Sequence, residues 1–398
     1  MISVEEAKQL LLENVGILSA ITVEVADASG YALEENIIAP TDSPPFSQSA
    51  MDGFAVCLPE PFDATEAVKF MIIGETKAGD SPTEALLPGT AVRIFTGAPI
   101  PENTYCVVMQ EKTTTINNKV EIALSALHKA SNIRLKACEI TKGTRAANKG
   151  MPINPAMCGF LSTLGITHTQ VARKPFISVL TTGNELKKPG AVLAPGQIYE
   201  SNSFALQSAI KQCGYHTLTI DTVADEESEL MDKARKMLNE SDVLILSGGI
   251  SVGKYDLVAG VLQNLGVKKI FYKIAQKPGK PLYFGKQGEK LVFALPGNPA
   301  AALVCFYEYV LPALHKMSGH TRIGLRSIRL PLSKDFLVKG DRALFLKAVV
   351  EGEMVGITEG QESNILMSFA VADALVYIPA GERIISKGGM VEVHLLPT

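Results

Sequence analysis

Between Lys174 and Ser318 short apolar runs alternate with amphipathic stretches of helical length, and this alternation restricts the fold more than any other feature of the chain. The apolar runs are Phe176–Leu180, Leu218–Val223, Val243–Leu246, Leu282–Phe284 and Leu291–Leu295. Helices are expected over Asn202–Cys213, Glu226–Leu238, Asp256–Leu265 and Pro299–Met317. Strands separated by helices of about 10–15 residues form βαβ units, so a parallel sheet covered on both faces is predicted. In such a sheet the strand-to-helix connections lie at the carboxyl ends of the strands, where ligands bind. Three of these connections are unusual in composition: Thr181-Thr182-Gly183-Asn184-Glu185, Ser247-Gly248-Gly249-Ile250-Ser251-Val252-Gly253 and Pro296-Gly297-Asn298-Pro299. They can converge on one crevice.

The flanking sequence has a different character. Ser3 and Glu6 form a capping box ahead of Ala7, Leu10 and Leu11, which predicts a short N-terminal helix. From Ile17 to about Lys149 the chain is a series of β-prone runs and Pro/Gly turns, with a hairpin expected over Thr113–Ile122 around Asn117-Asn118. Met157, Phe160, Leu161 and Leu164 ahead of Gly165 predict another short helix. After Thr321 short strands return, which reads as a small all-β C-terminal domain. A chain of 398 residues accommodates several such domains. The expected class is therefore α/β plus β, multidomain.

Composition narrows the function. A net charge of -3 gives no bulk attraction for nucleic acid or an anionic membrane, so neither is expected as a partner. The six cysteines show no CxxC pair and no histidine at zinc-ligand spacing. With no secretory-type N-terminus and no long apolar span, a cytoplasmic location is expected.

Each candidate loop has a chemical and a purely structural reading. Ser247, Gly248, Gly249, Ser251 and Gly253 follow a buried strand, so their backbone N–H groups can cradle an anion, or the glycines can simply reverse the chain. The spacing matches neither a Walker A loop nor G-x-G-x-x-G. Lys277-Pro278-Gly279-Lys280-Pro281 holds two cations on a stiff turn, suited to clamping phosphate or to solvation. Asn298 and Pro299 suit the start of a helix. Glu185, Asp225 and Asp256 each follow a predicted strand, and three carboxylates beside an anion site suit Mg²⁺; each taken singly suits a helix cap. In the β-rich region, Ser49-Ala50-Met51-Asp52-Gly53 and Phe95-Thr96-Gly97 interrupt strands with polar residues and glycine, consistent with shaped loops or ordinary turns.

Taken together these stretches resemble the MoeA-type molybdopterin molybdenumtransferases, the family that includes the gephyrin E domain. The matching segments, in order, are Ser49–Val56, Ile94–Pro99, Val108–Glu111, Thr182–Leu186, Ser247–Gly253, Lys277–Pro281 and Leu295–Pro299. The resemblance implies insertion of molybdate into adenylylated molybdopterin with Mg²⁺ assistance and release of AMP. It implies a cytoplasmic homodimer with the site between subunits, supplied by an adenylyltransferase. Asp52 and Thr96 would then complete a site with Glu185, Asp225 and Asp256, with Glu139 as a further metal ligand. The implied division is an α/β domain from 1–23 and 172–322, a linker domain from 24–43 and 144–171, a β-rich domain from 44–143, and a C-terminal β domain from 323–398.

Three positions depart from the family pattern. Ala137-Cys138-Glu139 replaces Gly-Glu-Asp, Asn184 stands where Asp is frequent, and Glu200 replaces Asp in the Ile-Tyr-x-Ser-Asn stretch. They leave open a non-catalytic pterin-binding or scaffold paralogue. A molybdopterin adenylyltransferase is a further alternative, although those chains contain little beyond the α/β core.

Overall fold

The computed structural model describes residues 1–397 apart from 64, 82–83 and 251–256. Helix α1 (Val4–Asn14) is capped by the Ser3 hydroxyl, which accepts the Glu6 N–H at 3.0 Å. Its buried face, Val4, Ala7 and Leu11, joins the hydrophobic core of the α/β region, where the helix meets Leu311–Met317 and Lys268–Tyr272 rather than the strands next in sequence. The chain then forms a strand, Ala20–Glu24, that pairs antiparallel with His168–Ala172. Helix α2 (Pro155–Thr163), capped by Asn154, adds Leu161 to a small core with Val25, Leu33, Ala147 and Val171.

The intervening region folds around a six-stranded sheet in the order Cys106–Met109, Gly53–Val56, Thr90–Ile94, Ala67–Thr76, Lys119–Ala123, Thr113–Ile116. The predicted hairpin is present, with Asn117 and Asn118 both at positive φ, the conformation of a tight two-residue β-turn. Gly53 opens its strand because a Cβ there would lie 1.9 Å from the Val108 carbonyl oxygen. The Asp-Gly pair is thus fixed by close approach of two strands.

The α/β core contains strands β1 (Ile177–Thr182), β2 (Thr217–Val223), β3 (Val243–Ser247), β4 (Lys268–Tyr272), β5 (Tyr283–Gln287) and β6 (Lys290–Leu295), in the sheet order β2-β1-β3-β6-β5-β4. Successive side chains of a strand face opposite sides. Val243 and Ile245 therefore enter one core with α1, α3 (Asn202–Gln212) and α6 (Pro299–Cys305), whereas Leu244 and Leu246 enter another with α4 (Glu227–Glu240) and α5 (Leu257–Asn264). Burial on both faces explains why β1, β3 and β6 read as near-continuous apolar runs.

The sheet is mixed, not wholly parallel as expected. Strands β2, β1, β3 and β6 are parallel, but β5 runs antiparallel to both of its neighbours, β6 and β4. The β5–β6 link is a two-residue turn, Gly288-Glu289, too short for the crossover that parallel pairing requires. The helix expected over Pro299–Met317 is also interrupted. Between α6 and α7 (Leu311–Met317) a π-helical stretch spans Phe306–Val310, just before Pro312, which cannot donate to the carbonyl four residues back.

The C-terminal sheet comprises β7 (Arg326–Pro331), β8 (Ala343–Glu351), β9 (Ala374–Ile378) and β10 (Met390–Leu395), with Met354–Ile357 paired to β8. Gln276–Lys277 joins its edge in parallel with β8, so the lysine turn bridges the two regions. Among the described residues no helix is long and apolar enough to cross a membrane.

Glu308, on the π stretch and only 3% exposed, links three elements. Lys8 of α1 donates to Glu308 at 2.6 Å, and His394 Nδ1 of β10 lies 2.7 Å from its other oxygen. The second imidazole nitrogen of His394 reaches Glu392 at 3.0 Å. Burial opposes ionisation of Glu308, but the His394 bond and the Lys8 charge outweigh it and hold its pKa below the usual carboxylate value. Burial likewise opposes the His394 cation, while the bond to Glu308 raises its pKa overall. The Glu308 contribution is present above the ordinary carboxylate pKa and lost as pH falls through the lowered folded value. The His394 contribution is present below the ordinary imidazole pKa and lost as pH rises through the raised folded value. Glu308→Ala is expected to cost about 3–5 kcal/mol near neutral pH, because two partners lose their counter-charge. Denaturant unfolding against pH should show this deficit shrinking at both extremes; a deficit independent of pH would contradict the assignment.

Candidate functional site

Strands β1, β3 and β6 are neighbours and parallel, so their carboxyl ends open on one edge of the sheet. There the three loops meet around a cleft of about 550 Å³. Its walls include Thr182, Glu185, Asp225, Ser247, Gly248 and Gly249. Pro296, Gly297, Asn298 and Pro299 form a further wall.

The glycine loop is shaped by contact with its neighbour. Gly248 has φ +95°, and a Cβ there would lie 2.2 Å from the Thr182 carbonyl oxygen; at Gly249, φ +62°, a Cβ would lie 2.8 Å from Thr182 Cγ2. Any side chain at Gly248 would push the β1 and β3 loops apart. Ser247, 1% exposed, donates through Oγ to the Pro296 carbonyl at 3.2 Å. Asn202, the first residue of α3, donates to both Ser247 Oγ and the Gly297 carbonyl at 2.8 Å. One carboxamide thus ties the β3 loop to the β6 loop.

The carboxylates occupy the β1 side. Thr182 Oγ1 donates to Asp225 Oδ1 at 2.6 Å, and the Asp225 N–H donates to Asn184 Oδ1 at 3.0 Å. Asn184 therefore anchors the loop that carries Asp225, a task an aspartate oxygen would perform equally. Glu185 projects from the same turn, where its Oε2 would lie 2.8 Å from a Cβ at Gly183. The Glu185 carboxylate and Asp225 Oδ2 have no hydrogen-bond partner among the described residues. Glu200, 4% exposed, caps α3 instead: its Oε1 accepts the Ser203 N–H at 2.8 Å and its Oε2 the Ser203 hydroxyl.

Other candidates lie elsewhere. Ser251, Gly253 and Asp256 fall outside the described residues. Lys277 and Lys280 stand on the bridging turn, of which only Pro281 lines the cleft. This turn is packed closely, since a Cβ at Gly279 would lie 2.5 Å from Cys305 Sγ. Glu139 is in the β-rich region, accepting the Ser43 hydroxyl at 2.7 Å, and is not brought to Glu185 and Asp225 within this chain. Asp52 accepts both the Thr96 N–H and its hydroxyl at 2.8 Å. The Thr96 N–H, then its hydroxyl, and the charge of Arg93 hold the Asp52 pKa below its ordinary value. Neither Asp52 nor Thr96 lines this chain's cleft. Among the described residues no three His, Cys, Asp or Glu side chains cluster closely enough to enclose a metal.

Sequence reasoning missed Asn202, Pro281 and Asn364 as cleft residues. Asn202 had a signal, since it ends the Ile-Tyr-x-Ser-Asn stretch. Asn364 had none, because it arrives from the C-terminal region, remote in sequence.

Gly248→Ala is expected to cost about 1–3 kcal/mol, and more than Gly190→Ala, where φ is +91° but nothing lies within 4 Å of the added Cβ. Thermal unfolding of the two variants separates the steric contact from the φ effect; equal losses would show that the Thr182 contact is immaterial.

Comparison with known proteins adds a whole-chain frame. Residues 2–165 match the model of the MoeA N-terminal region (domain I and II), 178–316 a probable molybdopterin binding domain, and 329–396 the MoeA C-terminal region (domain IV). A molybdopterin molybdenumtransferase of Staphylococcus epidermidis is 32% identical, the alignment covering 99% of this chain and 95% of that one. One from a Nostoc species is 34% identical, covering 94% and 88%. The crystal structure of a molybdopterin biosynthesis moeA protein from Pyrococcus horikoshii superposes with TM-score 0.85 at 27% identity, over 99% of this chain and 100% of that one.

Proposed function

This chain belongs to the MoeA family and is an enzyme of molybdenum cofactor biosynthesis, and from that premise we propose that its cleft inserts molybdate into adenylylated molybdopterin with release of AMP. The observation that carries the reading is the convergence of the Ser247–Gly249 backbone with the Glu185 carboxylate and the second oxygen of Asp225, both without a hydrogen-bond partner among the described residues, at one sheet edge. The glycine loop accommodates phosphate oxygens without side-chain obstruction. Thr182 and Asn184 hold Asp225 from two sides and so fix the direction in which its free oxygen points.

The donor set fits Mg²⁺, which is commonly held by one or two carboxylates together with substrate phosphates. Glu185 and Asp225 would hold it, with Asp256 as a further expected ligand. The bound ion would supply charge neutralisation at the phosphoryl group. Lys277 and Lys280 add positive charge on the turn that ends at Pro281 of the cleft. The reaction needs no protein nucleophile.

The departures at Asn184 and Glu200 favour a catalytic reading over a degenerate paralogue. Asn184 retains an oxygen acceptor for the Asp225 N–H, and Glu200 uses its carboxylate to cap α3. Both serve the geometry of the cleft.

Single-turnover incubation with adenylylated molybdopterin, Mg²⁺ and molybdate or tungstate tests the reading, with AMP and metal-loaded pterin followed together. Asp225→Asn and Glu185→Gln are expected to slow AMP release roughly 100-fold. Retention of tight pterin binding with no AMP release from the wild type would favour a non-catalytic paralogue.

We also propose a cytoplasmic homodimer in which Asp52 and Thr96 complete the site of the opposite subunit, with the substrate handed over by an adenylyltransferase. The tight Asp52–Thr96 unit, away from this chain's cleft, supports this arrangement. Co-expressed Asp52→Ala and Asp225→Asn chains should recover activity that neither variant has alone, because a mixed dimer retains one intact site. Mixed dimers without recovery would place the whole site within one subunit.

A further inference from the structure

Lys347, on β8, is 2% exposed, yet among the described residues its ammonium has no carboxylate partner within hydrogen-bond reach. It donates instead to three backbone carbonyls of one loop: Gly360 at 2.6 Å, Glu362 at 3.1 Å and Ile365 at 3.3 Å. Three donors meet three acceptors, which satisfies the buried cation. The neighbouring Gln361 clasps the Lys347 backbone, accepting its N–H at 3.0 Å and donating to its carbonyl at 2.8 Å. Ser368 Oγ adds a bond to the Gly360 carbonyl at 2.6 Å. The loop from 358 to 368 is thus built around a single ammonium.

The loop delivers two residues to the cleft region. The Ser363 carbonyl accepts the N–H groups of Ala300 at 3.0 Å and Ala301 at 3.3 Å, and Ser363 Oγ accepts from Asn298 Nδ2 at 2.8 Å. The first amides of α6 are therefore satisfied from the C-terminal domain. Asn298 makes no side-chain cap to its own helix, and its Nδ2 donates to Ser363. The next residue, Asn364, lines the cleft, and its carboxamide has no hydrogen-bond partner among the described residues.

We propose that Asn364 is a substrate-contacting residue contributed by the C-terminal domain, and that Lys347 is the residue that positions it. This rests on the cleft being the site of pterin-nucleotide binding. A carboxamide offers a donor and an acceptor side by side, which matches the hydrogen-bonding edge of a nitrogen heterocycle. Both the pterin and the adenine of the substrate present such an edge.

The test titrates AMP, and separately adenylylated molybdopterin, into the wild type, Asn364→Ala, Lys347→Met and Lys347→Arg, with amide hydrogen exchange measured on each protein. Asn364→Ala is expected to weaken adenylylated molybdopterin about tenfold, the effect of losing one or two hydrogen bonds, with exchange unchanged. Equal weakening of AMP assigns the contact to adenine; unaltered AMP binding assigns it to the pterin. Lys347→Met should weaken binding similarly while raising exchange at 358–366 and at the Ala300 and Ala301 amides, and Lys347→Arg should recover part of both. Wild-type affinity in Asn364→Ala overturns the inference even when the site reading stands, and this arm holds should Lys347→Met fail to fold. A wild type that binds neither probe removes the site reading itself, and the inference with it.

Discussion

The central constraint is the burial of both faces of β1, β3 and β6. Alternate residues of β3 enter different cores, so neither face can be exposed without losing a whole set of apolar contacts. Helices must then cover both sides, and the connections can emerge only at the strand ends. Because the three strands are adjacent and parallel, three polar loops are gathered at one edge. The cleft is a consequence of how the hydrophobic sheet is covered.

The loops are held there by backbone contact and short side-chain bonds. Gly248 approaches Thr182, Thr182 bonds Asp225, and Asn202 spans the β3 and β6 loops. A set of this kind limits the freedom of the Asp225 carboxylate before any ligand arrives, reducing the ordering cost of binding. The Glu185 carboxylate and Asp225 Oδ2, on residues that line the cleft, are left without hydrogen-bond partners among the described residues.

A second set of contacts sets the C-terminal domain against this core. Glu308 joins α1, the π stretch and β10 through Lys8 and His394. Close by, Tyr309 donates to Gln276, whose strand pairs with β8 at the start of the lysine turn. The Lys347 loop makes a third connection at the head of α6. These buried polar links complement the apolar contacts of Phe345, Phe369 and Leu375 with the α/β core. Together they explain how residues near 364 can belong to a cleft formed mainly by 181–299.

Local pattern was enough for much of this protein. Apolar runs, helix periodicity and glycine-rich connections foretold the α/β core, the Asn117-Asn118 hairpin and the three loops, because each depends on residues close together in the chain. The Ser247–Gly249 and Glu185–Asp225 parts of the cleft were legible for the same reason, once the strands were placed side by side. Tertiary structure decided the rest. A two-residue turn made β5 antiparallel, α1 packed far from its sequence neighbours, and Asn364 lines the cleft from a loop whose carbonyls bind a buried lysine. Contacts between residues hundreds of positions apart leave no periodic trace in either segment; complementary packing and paired polar groups select them only after both segments have folded.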